Sequence, residues 1–332
     1  MDLKELYYTT FGGIRKNANI VMYLRGAWWS LIPRSLTRGR LAHYMKLVES
    51  LPTADRERLE RRVEYCCKLD EYTPLPDNAR LLKDHVVRKM DVHSAYFFDT
   101  FEYTRYFPAA FRWLLQDGDV TWLFDWPTVV KSRPIAGDNR NSVLINQDKT
   151  RHFLFVKDPF SWEEKENRVI FRGDIYRKPH RFKFLQMYSD NPMCDLKDTS
   201  HKLGIPAEWQ QQSETSIYKH LKYKYIMSLE GNDVASNLKW VMSSNSIAVM
   251  PRPKYETWYM EGTLIPDYHY IEIKDDYSDF EEKINFYNNH PDEAKAIIRN
   301  ANEYAAGFRN RQFEKLAALA TFDRYFKFTN RF

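Results

Sequence analysis

Apolar and polar positions are arranged differently in the two halves of this chain. In the first half, a charged helical stretch at residues 55–69, DRERLERRVEYCCKL, stops at a turn containing Pro74 and Pro76. Short apolar runs at 120–124, 143–145 and 153–156 then predict strands. A polar connector at 161–167 separates these from a second half in which strands and helices alternate. Strands are expected at 169–171, 223–229, 246–250 and 268–273. Helices are expected after Asp233, at 256–260, and from about Ser278 and Pro291, the last being long and amphipathic over 292–326. Alternation of this kind builds a parallel sheet with helices on both faces.

A chain of 332 residues exceeds what one core usually serves, so two α/β domains with a cleft between them are expected. The divisions anticipated are residues 1–165, 166–305, and a C-terminal helix at 306–332 that returns to the first domain. Aromatic residues form 16% and hydrophobic residues 43% of the chain, which argues against disorder over most of its length. The 11 glycines include neither GxGxxG nor GxxxxGK, so dehydrogenase and P-loop ATPase fingerprints are missing. Cys66, Cys67 and Cys194 show no metal-ligand spacing and suit a reducing cytosol. No leader-like segment and no run of 18 apolar residues is present, so secretion by a signal peptide and membrane spanning are not expected.

Net charge is a modest +5, yet Arg15, Lys16, Arg25, Arg34, Arg38, Arg40 and Lys46 fall between Glu5 and Glu49 with no acid among them. Tyr23, Trp28, Trp29, Leu31 and Ile32 are interleaved with these cations. That mixture suits an anionic lipid surface or a phosphorylated acceptor, with nucleic acid as the competing partner and a solvated basic face as the plain alternative.

Residues 223–250 carry the most chemical information. An apolar strand is followed by Glu230-Gly231-Asn232-Asp233, a run of turn and cap residues, and then by Val234, Leu238, Val241 and Met242 at helical spacing. The free N–H groups of such a helix start attract anions, and Ser236, Asn237 and Lys239 could add donors for a nucleoside diphosphate. An ordinary βαβ turn facing water is the alternative. Phe171-Arg172-Gly173-Asp174, followed by Arg177, Lys178, Pro179, His180 and Arg181, is a second strand ending in a glycine turn beside cations able to grip phosphate. Asp125, placed after the expected strand 120–124 and before Trp126-Pro127, could be a general base at a strand's carboxyl end or a turn cap. Asp117-Gly118-Asp119 has a metal-binding DxD form, but an acidic glycine turn before a strand explains it better, and Asp91 with His93 lacks a third ligand. No metal is expected.

FRGD (171–174), PHR (179–181), YKYIMSLEGNDVASNLKW (223–240), SIAVM (246–250) and HYIEI (269–273) together resemble the CAP10-type glycosyltransferases of family 90, with a likeness to the bacterial lipopolysaccharide core enzymes. The resemblance implies a GT-B fold of two Rossmann-like domains facing a cleft, inversion at the sugar carbon, and no required cofactor or metal. It implies that Asp125 is the general base. Donor binding would fall to Arg172, Gly173, Asp174, Arg181, Asn232, Asp233, Val234, Ala235, Ser236, Asn237 and Lys239. Asp174 stands where relatives often carry serine, and Asn237 where the eukaryotic pattern has arginine.

The function expected is transfer of a hexose, glucose or galactose, from a UDP-sugar to a heptose or other sugar of the lipopolysaccharide core. The enzyme would be cytoplasmic and peripheral on the inner face of the bacterial inner membrane, with no nucleic-acid partner. A UDP-binding regulatory protein and a basic nucleic-acid-binding protein are the other classes.

Overall fold

The computed structural model describes residues 19–212 and 216–331, which fall into two compact units. One comprises His152–Pro253 with Thr263–Gly307; the other comprises 19–151, Lys254–Gly262 and 308–331. Arg15 and Lys16 lie outside the described residues, as do the side chains of Arg25 and Arg38.

The second of these units opens the described chain. Its helices α1 (Asn19–Leu31), α2 (Leu41–Glu49), α3 (Thr53–Cys66) and α4 (Ser94–Thr104) surround very short strands. Strand β1 (Arg80–Leu81) pairs antiparallel with β2 (Arg112–Trp113). Strand β3 (Thr128–Val130) runs parallel to β5 (Ser142–Leu144), and β4 (Ser132–Pro134) lies between them in sequence. The segment after β2 also joins β3 in parallel, through Leu115 opposite Val129 and the bonds Val129 N–H to Leu114 O and Gln116 N–H to Val129 O.

The expected strand at 120–124 does not form. Trp122 and Leu123 are exposed, and Val120 donates to the Ser132 hydroxyl rather than to a ladder. Apolar composition without a partner strand does not make a strand. The run at 153–156 is likewise irregular, with the Val156 N–H capped by Ser243.

The other unit holds the alternation read from the sequence. Strands β6 (Glu166–Gly173), β7 (Cys194–Asp198), β8 (Tyr223–Met227), β9 (Ile247–Met250) and β11 (Ile271–Glu272) form one all-parallel sheet, in the order β11-β9-β8-β6-β7. Helices α5 (Pro179–Tyr188) and α6 (Leu238–Met242) lie in the crossovers; α7 (Phe280–Asn289) and α8 (Pro291–Ala306) follow the last strand. Val169, Ile170 and Phe171, and all four residues of β9, are buried, as strands covered on both faces must be. Pro291 opens α8, with Asp292 and Glu293 in the first turn complementing the helix dipole.

The segment at 256–260 corrects another expectation. It is not helical: β10 (Tyr255–Thr257) pairs antiparallel with β4, which returns this excursion of the chain to the unit containing residues 19–151. Glu256 is drawn there by an ion pair with Arg133 at 2.8 Å, both side chains fully buried. Arg133 also donates to the main-chain oxygens of Ser142 and Tyr65. The long amphipathic stretch at 292–326 is two helices, α8 and α9 (Arg311–Thr329), and α9 packs within the unit of α3 and α4 through Leu316, Leu319, Phe322 and Phe326. Glu314 on α9 accepts from Arg62 at 2.5 Å and from the Trp258 indole at 2.7 Å.

Removing one member of a buried ion pair strands the other charge, which costs about 3–5 kcal/mol, whereas replacing both by apolar residues is close to neutral. Arg133→Leu is therefore expected to lower the urea midpoint strongly, and Arg133→Leu with Glu256→Leu to recover most of the loss. Equal midpoints for wild type and Arg133→Leu would contradict this role.

Candidate active site

In chain order the five parallel strands have the spatial order 2-1-3-4-5, so the direction of winding reverses between β6 and β8. Ligands of open α/β sheets bind outside the carboxyl ends of the strands at such a switch point. The turns that leave those two strands are Gly173-Asp174 and Ser228 to Asn237, the two segments singled out from the sequence.

Arg181 ties these turns together. From the first turn of α5 its Nη1 donates to the Asp174 carbonyl at 2.9 Å, its Nε to the Glu230 carbonyl at 2.8 Å and its Nη2 to the Leu229 carbonyl at 2.7 Å. His180 Nε2 lies 2.8 Å from the same Glu230 carbonyl, and the His180 carbonyl accepts from Tyr277. The guanidinium thus works here as a clamp on main-chain oxygens. Gly173 makes the clamp possible, because a Cβ there would stand 2.7 Å from the Phe171 ring and 3.3 Å from Arg181 Nη1.

The remaining expected donor residues separate into those near the switch point and those spent on structure. Arg172 is turned to β7, where it donates to the Asp195 carboxylate at 2.7 Å and to the Asp195 carbonyl at 2.6 Å. Asp174 accepts from Tyr176 N–H and from Lys178 at 2.8 Å; burial works to raise its pKa, but these donors hold the carboxyl below the ordinary range. Asn232 is exposed at the tip of the second turn, whereas Asp233, Val234 and Ala235 are buried beneath it. Ser236 and Asn237 are half-buried, and Asn237 donates to the Met227 carbonyl at 2.9 Å.

Two expectations about this turn need correction. The helix does not begin after Asp233; α6 starts at Leu238 and is only five residues long, so its dipole is weak. Lys239 is fully buried, with its ammonium 6.0 Å from the centre of the Phe153 ring, rather than displayed at the turn.

Asp125 also differs from its expected setting. With no strand at 120–124, it precedes β3 and lies at that strand's amino-terminal end, exposed, while its carbonyl accepts from Asn141. The carboxyl ends of the same small parallel sheet carry other polar residues. Asp117 and Asp119 follow the segment at 114–116, Lys131 follows β3, and Asn146, Gln147 and Asp148 follow β5. Asp119 pairs with the buried Lys131, and Asp117 with His93 at 2.6 Å. Both carboxylates of the DxD-like turn therefore have cation or imidazole partners. Among the described residues no group of three or more side chains suited to hold a metal ion occurs.

Sequence reasoning missed His180 as a partner of the second turn and His93 as a partner of Asp117. In the sequence His93 suggests only a metal ligand alongside Asp91, but Asp91 pairs with Arg80. Their partners are 50 and 24 residues distant in the chain, so local spacing carried no signal. Arg34, counted among the surface cations, is turned inward to the carbonyls of Leu82 and His85.

A parallel sheet with helices in its crossovers and two turns clamped at its switch point places this unit in the α/β class. Comparison with known proteins narrows this. Residues 148–312 match the sequence profile of glycosyl transferase family 90. The chain is 37% identical over 307 residues to the O-glucosyltransferase LpsA of Dichelobacter nodosus, covering 92% of this chain and 95% of that one. It is 30% identical over 199 residues to protein O-glucosyltransferase 2 of Danio rerio, covering 54% of this chain and 39% of that protein. Protein O-glucosyltransferase 3 of Homo sapiens is 29% identical over 143 residues, 42% of this chain and 28% of its own length. The chain belongs to glycosyl transferase family 90.

Gly173→Ala is expected to cost about 1–3 kcal/mol, because Phe171 and Arg181 must move aside. A thermal melt checks this, and an unchanged midpoint would show that the turn does not need the space.

Proposed function

We propose that this glycosyltransferase moves glucose from UDP-glucose to a sugar of the lipopolysaccharide core, heptose being the favoured acceptor, with inversion at the anomeric carbon. The observation that carries the donor half is the meeting of the Gly173-Asp174 and Leu229-Glu230 turns at the switch point under the Arg181 clamp. Main-chain N–H groups of the turn after β8, approached closely because residue 231 is glycine, would take the diphosphate oxygens. Glucose is preferred over galactose because the names of the bacterial and vertebrate relatives all specify glucosyl transfer. In this proposal the two units divide the labour as in a GT-B enzyme, the donor on one and the acceptor on the other. Asp125, exposed just before β3, is the general base in this proposal, as the family resemblance implies.

Peripheral contact with an anionic membrane forms part of the same reading. Leu24, Trp28 and Leu31 recur along α1 at one-face spacing and are 66%, 65% and 78% exposed, with Leu36 exposed just beyond. Arg40 and Lys46, further along the chain, are also exposed. A helix displaying an apolar stripe beside cations lies down in a lipid interface. Among the described residues no helix is long and apolar enough to cross a membrane.

Incubating the protein with radiolabelled UDP-glucose, UDP-galactose and deacylated core oligosaccharide is expected to give glucose transfer and UDP release. No transfer from either donor would overturn the proposed activity. Replacing Leu24, Trp28 and Leu31 by serine should reduce binding to anionic vesicles by tenfold or more, on the basis of about 1.5–3 kcal/mol per buried large apolar side chain. Unchanged sedimentation with the vesicles would remove the membrane contact.

A further inference from the structure

The segment that leads into β3 has a firmly held main chain and large side chains left free. Val120 N–H donates to the Ser132 hydroxyl at 3.1 Å, and the Asn141 amide donates to the carbonyls of Phe124 at 3.1 Å and Asp125 at 3.0 Å. The Thr128 hydroxyl donates to the Trp126 carbonyl at 2.8 Å, and the Pro127 carbonyl accepts from the Tyr325 hydroxyl at 3.0 Å. The loop after β4 presses on Leu123 so closely that a Cβ at Gly137, whose φ is +83°, would stand 2.9 Å from Leu123 Cδ1. All of these residues belong to the one unit that contains β3.

Against this fixed backbone, Trp122, Leu123 and Trp126 are 47%, 44% and 45% exposed. Single exposed apolar residues are ordinary, but three within five positions form a patch of the kind that marks a binding surface. The Trp122 ring rests against Phe124, 5.9 Å between centres and tilted by 51°. Among the described residues the Trp126 ring has no ring neighbour, and neither indole N–H has an acceptor. Indole combines a wide apolar face with one polar donor, and that donor is usually paired once the ring is covered.

Asp125 lies within the patch, where the chain bends, and among the described residues its exposed carboxylate has no hydrogen-bond or ion-pair partner. An occupant of this surface must therefore meet two apolar ring faces, two free N–H donors and a free carboxylate acceptor. A sugar ring does so, because its axial C–H groups form an apolar face and its hydroxyls both donate and accept. An anionic headgroup does not. Asp138 is a second exposed carboxylate on the adjoining loop, and the cation of that loop, Arg140, is already held by Asp70 and Glu71. Negative charge would be repelled there.

We infer that Trp122 and Trp126 are the acceptor platform, on which an uncharged sugar ring of the acceptor stacks with one hydroxyl presented to Asp125. The inference rests on the sugar-transfer reading above, in which Asp125 is the base. The two tryptophans are specificity-determining residues: they select a ring with an apolar face, while Asp125 takes the hydroxyl proton.

The test titrates the protein with deacylated core oligosaccharide by calorimetry in the absence of donor, measures UDP affinity separately, and follows transfer from UDP-glucose. Trp122→Ala and Trp126→Ala should each weaken oligosaccharide binding by about tenfold and raise the acceptor KM, with UDP affinity and the thermal midpoint unchanged because both rings are exposed. Trp122→Phe and Trp126→Phe should retain most of the affinity, and the corresponding leucine variants, apolar but without a ring face, should not. Asp125→Asn should lose turnover yet still bind the oligosaccharide. Unchanged oligosaccharide affinity in both alanine variants overturns the platform, as does a loss that is accompanied by lost UDP affinity and a lowered midpoint. A fully active Asp125→Asn overturns the placing of the platform beside the base. Wild-type protein that binds the oligosaccharide but transfers no glucose overturns the sugar-transfer reading alone, since the affinities of the variants still decide the platform.

Discussion

The arrangement depends on one guanidinium. Arg181 reaches from α5 to the carbonyl oxygens of Asp174, Leu229 and Glu230, so the ends of two parallel strands are fixed to each other where the sheet reverses its winding. Strand twist and crossover chirality bring β6 and β8 side by side, but they do not fix the two turns beyond them. Three charge-assisted hydrogen bonds from a rigid planar group do. A lysine, with a single point charge on a flexible stem, could not hold three carbonyls in a fan. The cation also leaves a positive field beneath main-chain N–H groups, the electrostatic condition for holding a diphosphate.

A comparable economy governs the other unit, which is assembled from three separated stretches of chain. Its strands are only two or three residues long and contribute little cooperative pairing of their own. Buried ion pairs and aromatic packing stand in for long ladders. Arg133 and Glu256 secure β10 against β4, and Arg62 and Glu314 secure α3 against α9. Burial pushes the Glu314 carboxyl upward and Arg62 pulls it back, which is the balance expected when a charge is retained inside a protein only because its partner is fixed.

The difference between the two units also explains what the sequence disclosed. In the unit of β6 to β9, continuous runs such as Val169-Ile170-Phe171 and Ile247-Ala248-Val249-Met250 can only be strands covered on both faces, so strand positions were legible to within a few residues. Both candidate turns were legible for the same reason, since each is a polar, glycine-bearing stop to an apolar run. The short strands of the other unit gave no such periodicity. Residues 120–124 are more apolar than β4, yet only β4 has a partner to pair with, and Glu256 is a strand residue because of an arginine 123 positions away. Individual side chains at the site were the least legible. Arg172, Arg181 and Lys239 have the composition of phosphate ligands, but their partners, an aspartate on β7, three carbonyls and the Phe153 ring, are set by tertiary structure.

The central claim is that a nucleoside diphosphate binds at the clamped switch point between β6 and β8. A crystal structure of the protein with UDP tests it most directly. The account predicts diphosphate oxygens within hydrogen-bonding distance of main-chain N–H groups of the turn after β8, beside Gly231. Diphosphate bound elsewhere on the chain, with that turn vacant in a UDP-saturated crystal, would contradict it.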